Sequence, residues 1–196
     1  MKKIVTYLIL VIFIIAGILF FLTRVPAVQD ALFQRLAQNL ISTAPNIFPE
    51  EDSLSALVCG SKSPLPHPTR AETCVMIKAG EETFIFDVGN RSIDNLRNWR
   101  VPLTQLNGIF ISHLHSDHIA ELPEIHMWNW VGTGRQSKLK VYGPEGINQV
   151  LNGFTEAYSL DWKYRNDHHG DQFAPLKAAG FDGYEITDFS EPVYES

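Results

Sequence analysis

The sequence predicts an α/β protein of layered, α+β character, preceded by one apolar helix. Three observations predict it. An uncharged run extends from Ile4 to Leu22. Two short apolar stretches, 73–80 and 83–89, flank the turn AGEE and read as a hairpin. After that hairpin, strand-like and helix-like segments alternate, which is the pattern of a sheet layered with helices.

The N-terminal run predicts a transmembrane helix. As a helix it would span roughly 28 Å, close to the hydrocarbon thickness of a bilayer. Lys2 and Lys3 precede it and Arg24 follows. The excess of positive charge before the run favours a cytoplasmic N-terminus and an exported remainder, periplasmic or extracellular. The alternative is a signal peptide cleaved near VPA at 25–27, which would secrete the domain. We therefore divide the chain into an anchor or signal at 1–24, an amphipathic helix and linker at 25–53, and a domain at 54–196. Within the middle part, Val28, Leu32, Leu36 and Leu40 fall at helical spacing, and Phe33, Ala37 and Ile41 widen the stripe. STAPNIFPEEDS at 42–53 is the linker.

The domain opens with a short strand, LSALVC at 54–59, and a loop of three prolines, GSKSPLPHPTR at 60–70. In the strand at 83–89, alternation places Phe84, Phe86 and Val88 on one side and Ile85 and Asp87 on the other. Residues 91–100 read as a short helix. A buried strand from Asn107 runs into HLHSDH. Residues 118–131 read as helix or helical loop, 138–144 as a strand and 145–158 as a helix. From residue 159 periodicity is weak. RNDHHGD at 165–171 reads as a polar loop, in which His168 and His169 are candidates to bind substrate or metal.

With 196 residues, 45% of them hydrophobic, the chain has enough material for a sizeable core. A net charge of −6 without a Lys/Arg block leaves no clear nucleic-acid patch. Two cysteines, Cys59 and Cys74, are too few for a disulfide scaffold. They lie on neighbouring early strands, either as a disulfide that export would permit or as two small buried hydrophobes. The pairs Trp128/Trp130 and Trp162/Tyr164 read as core or anchor residues before they read as a substrate groove.

The chemistry concentrates in HLHSDH. Three of the seven histidines and one aspartate lie within six positions. His113 and His115, two apart at a strand end, face one way if the chain stays extended. Asp117 and His118 follow at the turn. Imidazoles with a carboxylate suit zinc, and also iron or manganese. Packing explains such a cluster poorly, because each buried polar group needs its own partner.

HLHSDH matches the HxHxDH signature of the metallo-β-lactamase-fold hydrolases. GSKSPLPHPTR, FIFDVG, GIFISHLHSDHIAELP and KVYGPEGINQVL, in that order, resemble the branch that holds ribonuclease Z and arylsulfatase-like members. The resemblance covers residues 54 to at least 158. It implies an αββα sandwich with two divalent metal ions. His113 and His115 would hold the first ion, and Asp117 and His118 the second. A bridging hydroxide, held or deprotonated by Asp117 as the catalytic residue, would attack a small-molecule ester: a sulfate ester, phosphodiester or lactone. Asp87 resembles the family's aspartate that fixes a ligand imidazole, with turn-capping as the alternative. Lys62 departs from the family loop, which often has glycine there. The family's third histidine, bridging aspartate and last histidine have no matching segment. The resemblance therefore implies only the N-terminal half to two-thirds of the fold. The alternative function is a catalytically incompetent fragment that binds metal or pairs with another chain, and a homo-oligomer is compatible with either reading. Export disfavours tRNA processing and turns the comparison toward the arylsulfatase-like members.

Overall fold

The computed structural model describes residues 2–42, 47–49, 53–103, 106–133 and 135–195. The chain divides into two compact units, Met1–Thr43 and Ala44–Ser196. The first contains α1 (Lys2–Leu22) and α2 (Pro26–Ser42). Pro26 opens α2, where its missing N–H costs nothing and its fixed φ suits a helix start. Lys3–Leu22 is long and apolar enough to cross a membrane, a test that a signal sequence also passes. Of the apolar stripe read on α2, Phe33, Ala37, Leu40 and Ile41 have side chains outside the described part.

The second unit is built on one six-stranded sheet in sequence order, β1 (Leu54–Gly60), β2 (Cys74–Ala79), β3 (Glu82–Phe86), β4 (Leu106–Phe110), β5 (Leu139–Gly143) and β6 (Phe181–Glu185). β1, β2 and β3 pair antiparallel; a tight turn at 80–81 joins β2 to β3, whereas the longer proline loop, 61–73, joins β1 to β2. β3 to β6 pair parallel. Their crossovers carry α3 (Ser92–Asn98), α4 (Ser116–Ile119), α5 (Leu122–Thr133) and α6 (Ile147–His169), with a 3-10 turn at Leu176–Ala178.

Two adjacent cross-strand rows show how the sheet is dressed. Leu57, Met76, Ile85, Ile109, Val141 and Gly183 form one row by register. Met76, Ile85, Ile109 and Val141 are fully buried, in one core with Ile93, Leu96, Leu122, Ile125, Ile147 and Leu151 from the helices. Each such side chain contributes about 1.5–3 kcal/mol. A Cβ at Gly183 would lie 2.1 Å from Asn148 Oδ1, so glycine lets α6 lie close to β6. The neighbouring row, Val75, Phe86, Phe110, Tyr142 and Tyr184, points to the other face. Its rings form a staircase, with stacked centroids 4.9, 4.7 and 4.9 Å apart from Phe86 to Tyr184. Phe86 and Tyr184 remain 42% and 40% exposed, so the helices cover one face of the sheet far better than the other.

The structure corrects the sequence reading at four places. β3 ends at Phe86. Asp87 has a positive φ of 60°, which turns the chain, and Val88 enters the helix-covered core instead of joining Phe84 and Phe86. β4 ends at Phe110, so HLHSDH begins on an irregular segment and not within an extended strand. α6 continues to His169, so residues 165–169 are helical and His168 and His169 form its last turn. Finally, Phe181–Glu185 is a strand where no regular element was expected. Trp130 and Trp162 are core residues, whereas Trp128 is partly exposed beneath the Arg97 guanidinium and Tyr164 is exposed.

Cys59 and Cys74 form a disulfide, fully buried, between β1 and β2. It closes a loop with a sequence separation of 15. Closing such a loop stabilises a fold by about 3 kcal/mol through the unfolded chain. Reduction, or Cys59→Ala with Cys74→Ala, should therefore lower the urea midpoint by an amount equivalent to roughly 2–4 kcal/mol. An unchanged midpoint under reductant would show that the staple carries no stability.

His126 on α5 predicts an acid-sensitive fold. It is 1% exposed, ringed by Trp130, Trp162 and Phe181, and its Nε2 accepts the Gly180 N–H at 2.8 Å. Burial, the largest cause, lowers its pKa from 6.5 to about 4. The unfolded chain thus binds the proton first as pH falls. This contribution is complete above pH ~6.5 and is lost on descending to ~4, a total of about 3 kcal/mol. His126→Gln should flatten that part of the stability–pH curve, measured by chemical denaturation. An equally steep curve in the variant would remove His126 as the cause.

Candidate metal centre

The site lies beyond the C-terminal ends of β3 and β4, where parallel strands in layered α/β folds present their loops. β3 delivers Asp87, and the segment after β4 delivers Ser112 to His118. Three backbone bonds hold these parts together. Asp87 N–H donates to Phe110 O at 2.9 Å, Val88 N–H to His118 O at 2.8 Å, and Glu121 N–H to Val88 O at 2.9 Å. Gly89 permits the close approach of the two segments, since a Cβ there would lie 2.2 Å from Asp117 O.

His113, His115, Asp117 and His118 come together as two pairs. His113 Nε2 lies 3.0 Å from His115 Nδ1. His118 Nε2 lies 3.6 Å from Asp117 Oδ2. The His113 and His118 rings sit 3.9 Å apart, so the pairs are neighbours. A tetrahedral cation with bonds of ~2.0–2.1 Å separates two donors by about 3.3–3.4 Å, a value these distances bracket. The residue types and the spacing therefore fit a divalent cation at each pair. Among the described residues, no three His, Cys, Asp or Glu side chains converge as a single metal-holding group.

The surroundings differ between the pairs. Asp117 is buried at 7% exposure, and His118 is half-buried, whereas His113 and His115 are exposed. α4 explains this. His115 occupies its N-cap with extended backbone, and Asp117 in its first turn points inward. Asp87 Oδ2 lies 2.8 Å from His118 Nδ1, and its carboxylate also accepts the Ser112 N–H at 2.8 Å and the Ser112 hydroxyl. The sequence reading paired Asp87 with an imidazole and left turn-capping open. The geometry contains the imidazole contact. Ser112 went unread, although a hydroxyl residue placed directly before the first histidine was the available signal.

The other candidates lie apart from these pairs. His168 and His169 meet edge to face at the end of α6, ring centroids 4.6 Å apart. His67 accepts the Thr69 and Arg70 N–H groups within its own loop. His126 belongs to the core. Lys62 pairs with Glu72 at 2.8 Å, both side chains 11% exposed. Glu72 also accepts the Asn90 N–H. A lysine is therefore accommodated in the proline loop by its own counter-charge.

The chain is 34% identical to ribonuclease Z of Mycobacterium marinum over 118 residues, covering 59% of this chain and 42% of that protein. It is 32% identical to ribonuclease Z of Mycobacterium bovis over 124 residues, covering 62% and 44%. The chain thus spans less than half the length of these relatives. Among solved structures, it is similar to the metallo-β-lactamase fold protein YhfI from Bacillus subtilis, with TM-score 0.45, 23% identity and coverage of 51% of this chain and 40% of that one. Residues 57–168, more than half of the sequence, match the family described as anti-Pycsar protein Apyc1, and the chain belongs to that family.

Proposed function

We propose that the domain is the nucleophile-generating part of a metal-dependent hydrolase acting on a phosphodiester outside the cytoplasm. The observation that carries this reading is the pair of donor sets, His113 with His115 at 3.0 Å and Asp117 with His118 at 3.6 Å, side by side. Each would hold one divalent cation, zinc first by donor type, with iron and manganese as alternatives. When bound, two such cations supply Lewis acidity and a water acidified to a pKa of about 7. The chain's own residues then have separate tasks. Asp117, the buried member of the second pair, holds the attacking water and takes its proton. Asp87 fixes the orientation of His118. The choice of phosphodiester among ester substrates follows the relatives named ribonuclease Z, whose substrate is RNA.

Two features favour export. Lys2 and Lys3 lie at the N-terminal end of the apolar helix α1, and the Cys59–Cys74 disulfide suits an oxidising compartment. Alkaline phosphatase fused after Ser53 should be active in an export-competent host. A reporter active only in the cytoplasm would overturn the assignment. A small phosphodiester fits this location better than tRNA, and a net charge of −6 without a Lys/Arg block gives RNA little electrostatic attraction.

A second reading, a metal-binding fragment with little turnover, is favoured by one observation. Each pair supplies two donors, whereas stable zinc sites use three or four protein ligands. Both readings meet in one experiment on the full chain in detergent, with zinc titration and bis(p-nitrophenyl) phosphate hydrolysis. His115→Ala and Asp117→Ala should each weaken zinc binding by at least about tenfold. Zinc binding indifferent to both substitutions would sink the metal reading. Turnover of an arylsulfate in preference to the phosphodiester would sink the substrate class. Zinc binding with no turnover would leave the fragment reading standing.

A further inference from the structure

We infer that Ser112 is a positioning residue that extends the carboxylate of Asp87 to His113, so that one aspartate sets the tautomer of a histidine in each donor pair. This rests on the reading of HLHSDH as the metal-holding segment. The Ser112 hydroxyl oxygen lies 2.8 Å from Asp87 Oδ2 and 3.0 Å from Oδ1. It also lies 3.1 Å from His113 Nδ1 and 3.3 Å from His118 Nδ1, so its two lone pairs face two imidazoles. A serine hydroxyl has one proton and two lone pairs. Were the proton given to His113, the oxygen's lone pairs would face two carboxylate oxygens at hydrogen-bond distance, which is repulsive. The proton therefore goes to Asp87, and the oxygen accepts from His113. His113 must then carry its hydrogen on Nδ1, leaving Nε2 with a lone pair.

The same carboxylate acts directly on the second pair. His118 Nδ1, 2.8 Å from Asp87 Oδ2, donates to it and leaves its own Nε2 free. Both freed Nε2 atoms are the ones that point to the partner donors, His115 Nδ1 and Asp117 Oδ2. A metal ligand's other ring nitrogen is commonly fixed in this way. The unusual element is economy. One aspartate, extended by one hydroxyl, orients an imidazole in each of two neighbouring pairs. The backbone supports the arrangement, because Ser112 N–H also donates to Asp87 Oδ1 at 2.8 Å. Ser112 is therefore held to Asp87 by its backbone as well as by its hydroxyl.

Imidazole nitrogen-15 correlation spectra of the metal-free full chain test the tautomer without any substitution. The expected result is His113 and His118 both as Nδ1–H forms. A His113 found as the Nε2–H form overturns the inference. Cobalt titration supplies the second readout. Ser112→Ala should weaken cobalt binding about tenfold to a hundredfold and alter its visible bands. Ser112→Thr, which retains the hydroxyl, should restore both to near the parent. Ser112→Ala binding cobalt as tightly as the parent, with an unchanged spectrum, overturns the inference. So does Ser112→Thr behaving like Ser112→Ala. A parent that binds no cobalt overturns the metal reading instead, and the nitrogen-15 spectra still decide the role of Ser112.

Discussion

Asp87 holds its positive φ of 60° while its carboxylate is shared between Ser112 and His118. A non-glycine residue in that region costs about 1 kcal/mol or more, and persists where surrounding contacts over-determine it. Here they do. Asp87 N–H is tied to Phe110 O on β4, and the next residue's N–H is tied to His118 O in α4. The turn therefore converts the end of a sheet strand into a seat for the histidine segment. Removing the turn would return Val88 to the aromatic face and withdraw the carboxylate from the site. Fold and site depend on the same strained residue.

The early hairpin supports this seat from behind. Gly60 has no room for a side chain, since a Cβ would lie 1.5 Å from Glu72 O. Glu72 in turn binds Lys62 and the Asn90 N–H, next to Gly89, whose own N–H donates to Thr73 O. The buried disulfide fixes β1 against β2 at this point, and Asn95 of α3 donates to Cys59 O at 2.7 Å. Glu121, just after α4, accepts the Ile93 N–H at 2.7 Å and so caps α3. Burial raises the Glu121 pKa despite those bonds. β1, the loop, α3 and α4 thereby restrain one another around residues 87–89.

Much of this was legible in the sequence, for a physical reason. Alternation in β2 and β3 is forced by a sheet with one face covered, and Cys74, Met76 and Ile85 show it directly. HLHSDH was legible because few packing arrangements tolerate such a polar cluster. The misreadings share a different cause. Val88 follows a period of two only while φ stays negative, and no pattern announces the reversal at Asp87. β6 was missed because Phe181, Asp182, Gly183, Tyr184 and Glu185 are mostly polar or small. Its place in the sheet comes from parallel bonding to β5 and from α6 packing over Gly183. The length of α6 was underread because its final turns face solvent, held by Lys163–Asp167 and Arg165–Asp161 pairs instead of an apolar stripe.

The two proposed half-sites are not equivalent, and the fold makes the difference. His113 and His115 are neutral donors at the surface, held by a serine hydroxyl and by each other. Asp117 and His118 include a formal negative charge, shielded from water and backed by a second carboxylate, Asp87. Electrostatic attraction strengthens as the surrounding dielectric falls. On these grounds the Asp117–His118 pair is the stronger attractor for a hard divalent cation. The His113–His115 pair depends more on orientation, since its donors bring no charge and water competes for both. That dependence is why the hydroxyl of Ser112 matters more to the exposed pair than its small size suggests. It fixes the His113 ring, which neither burial nor a direct carboxylate contact holds in place, and His113 in turn meets His115.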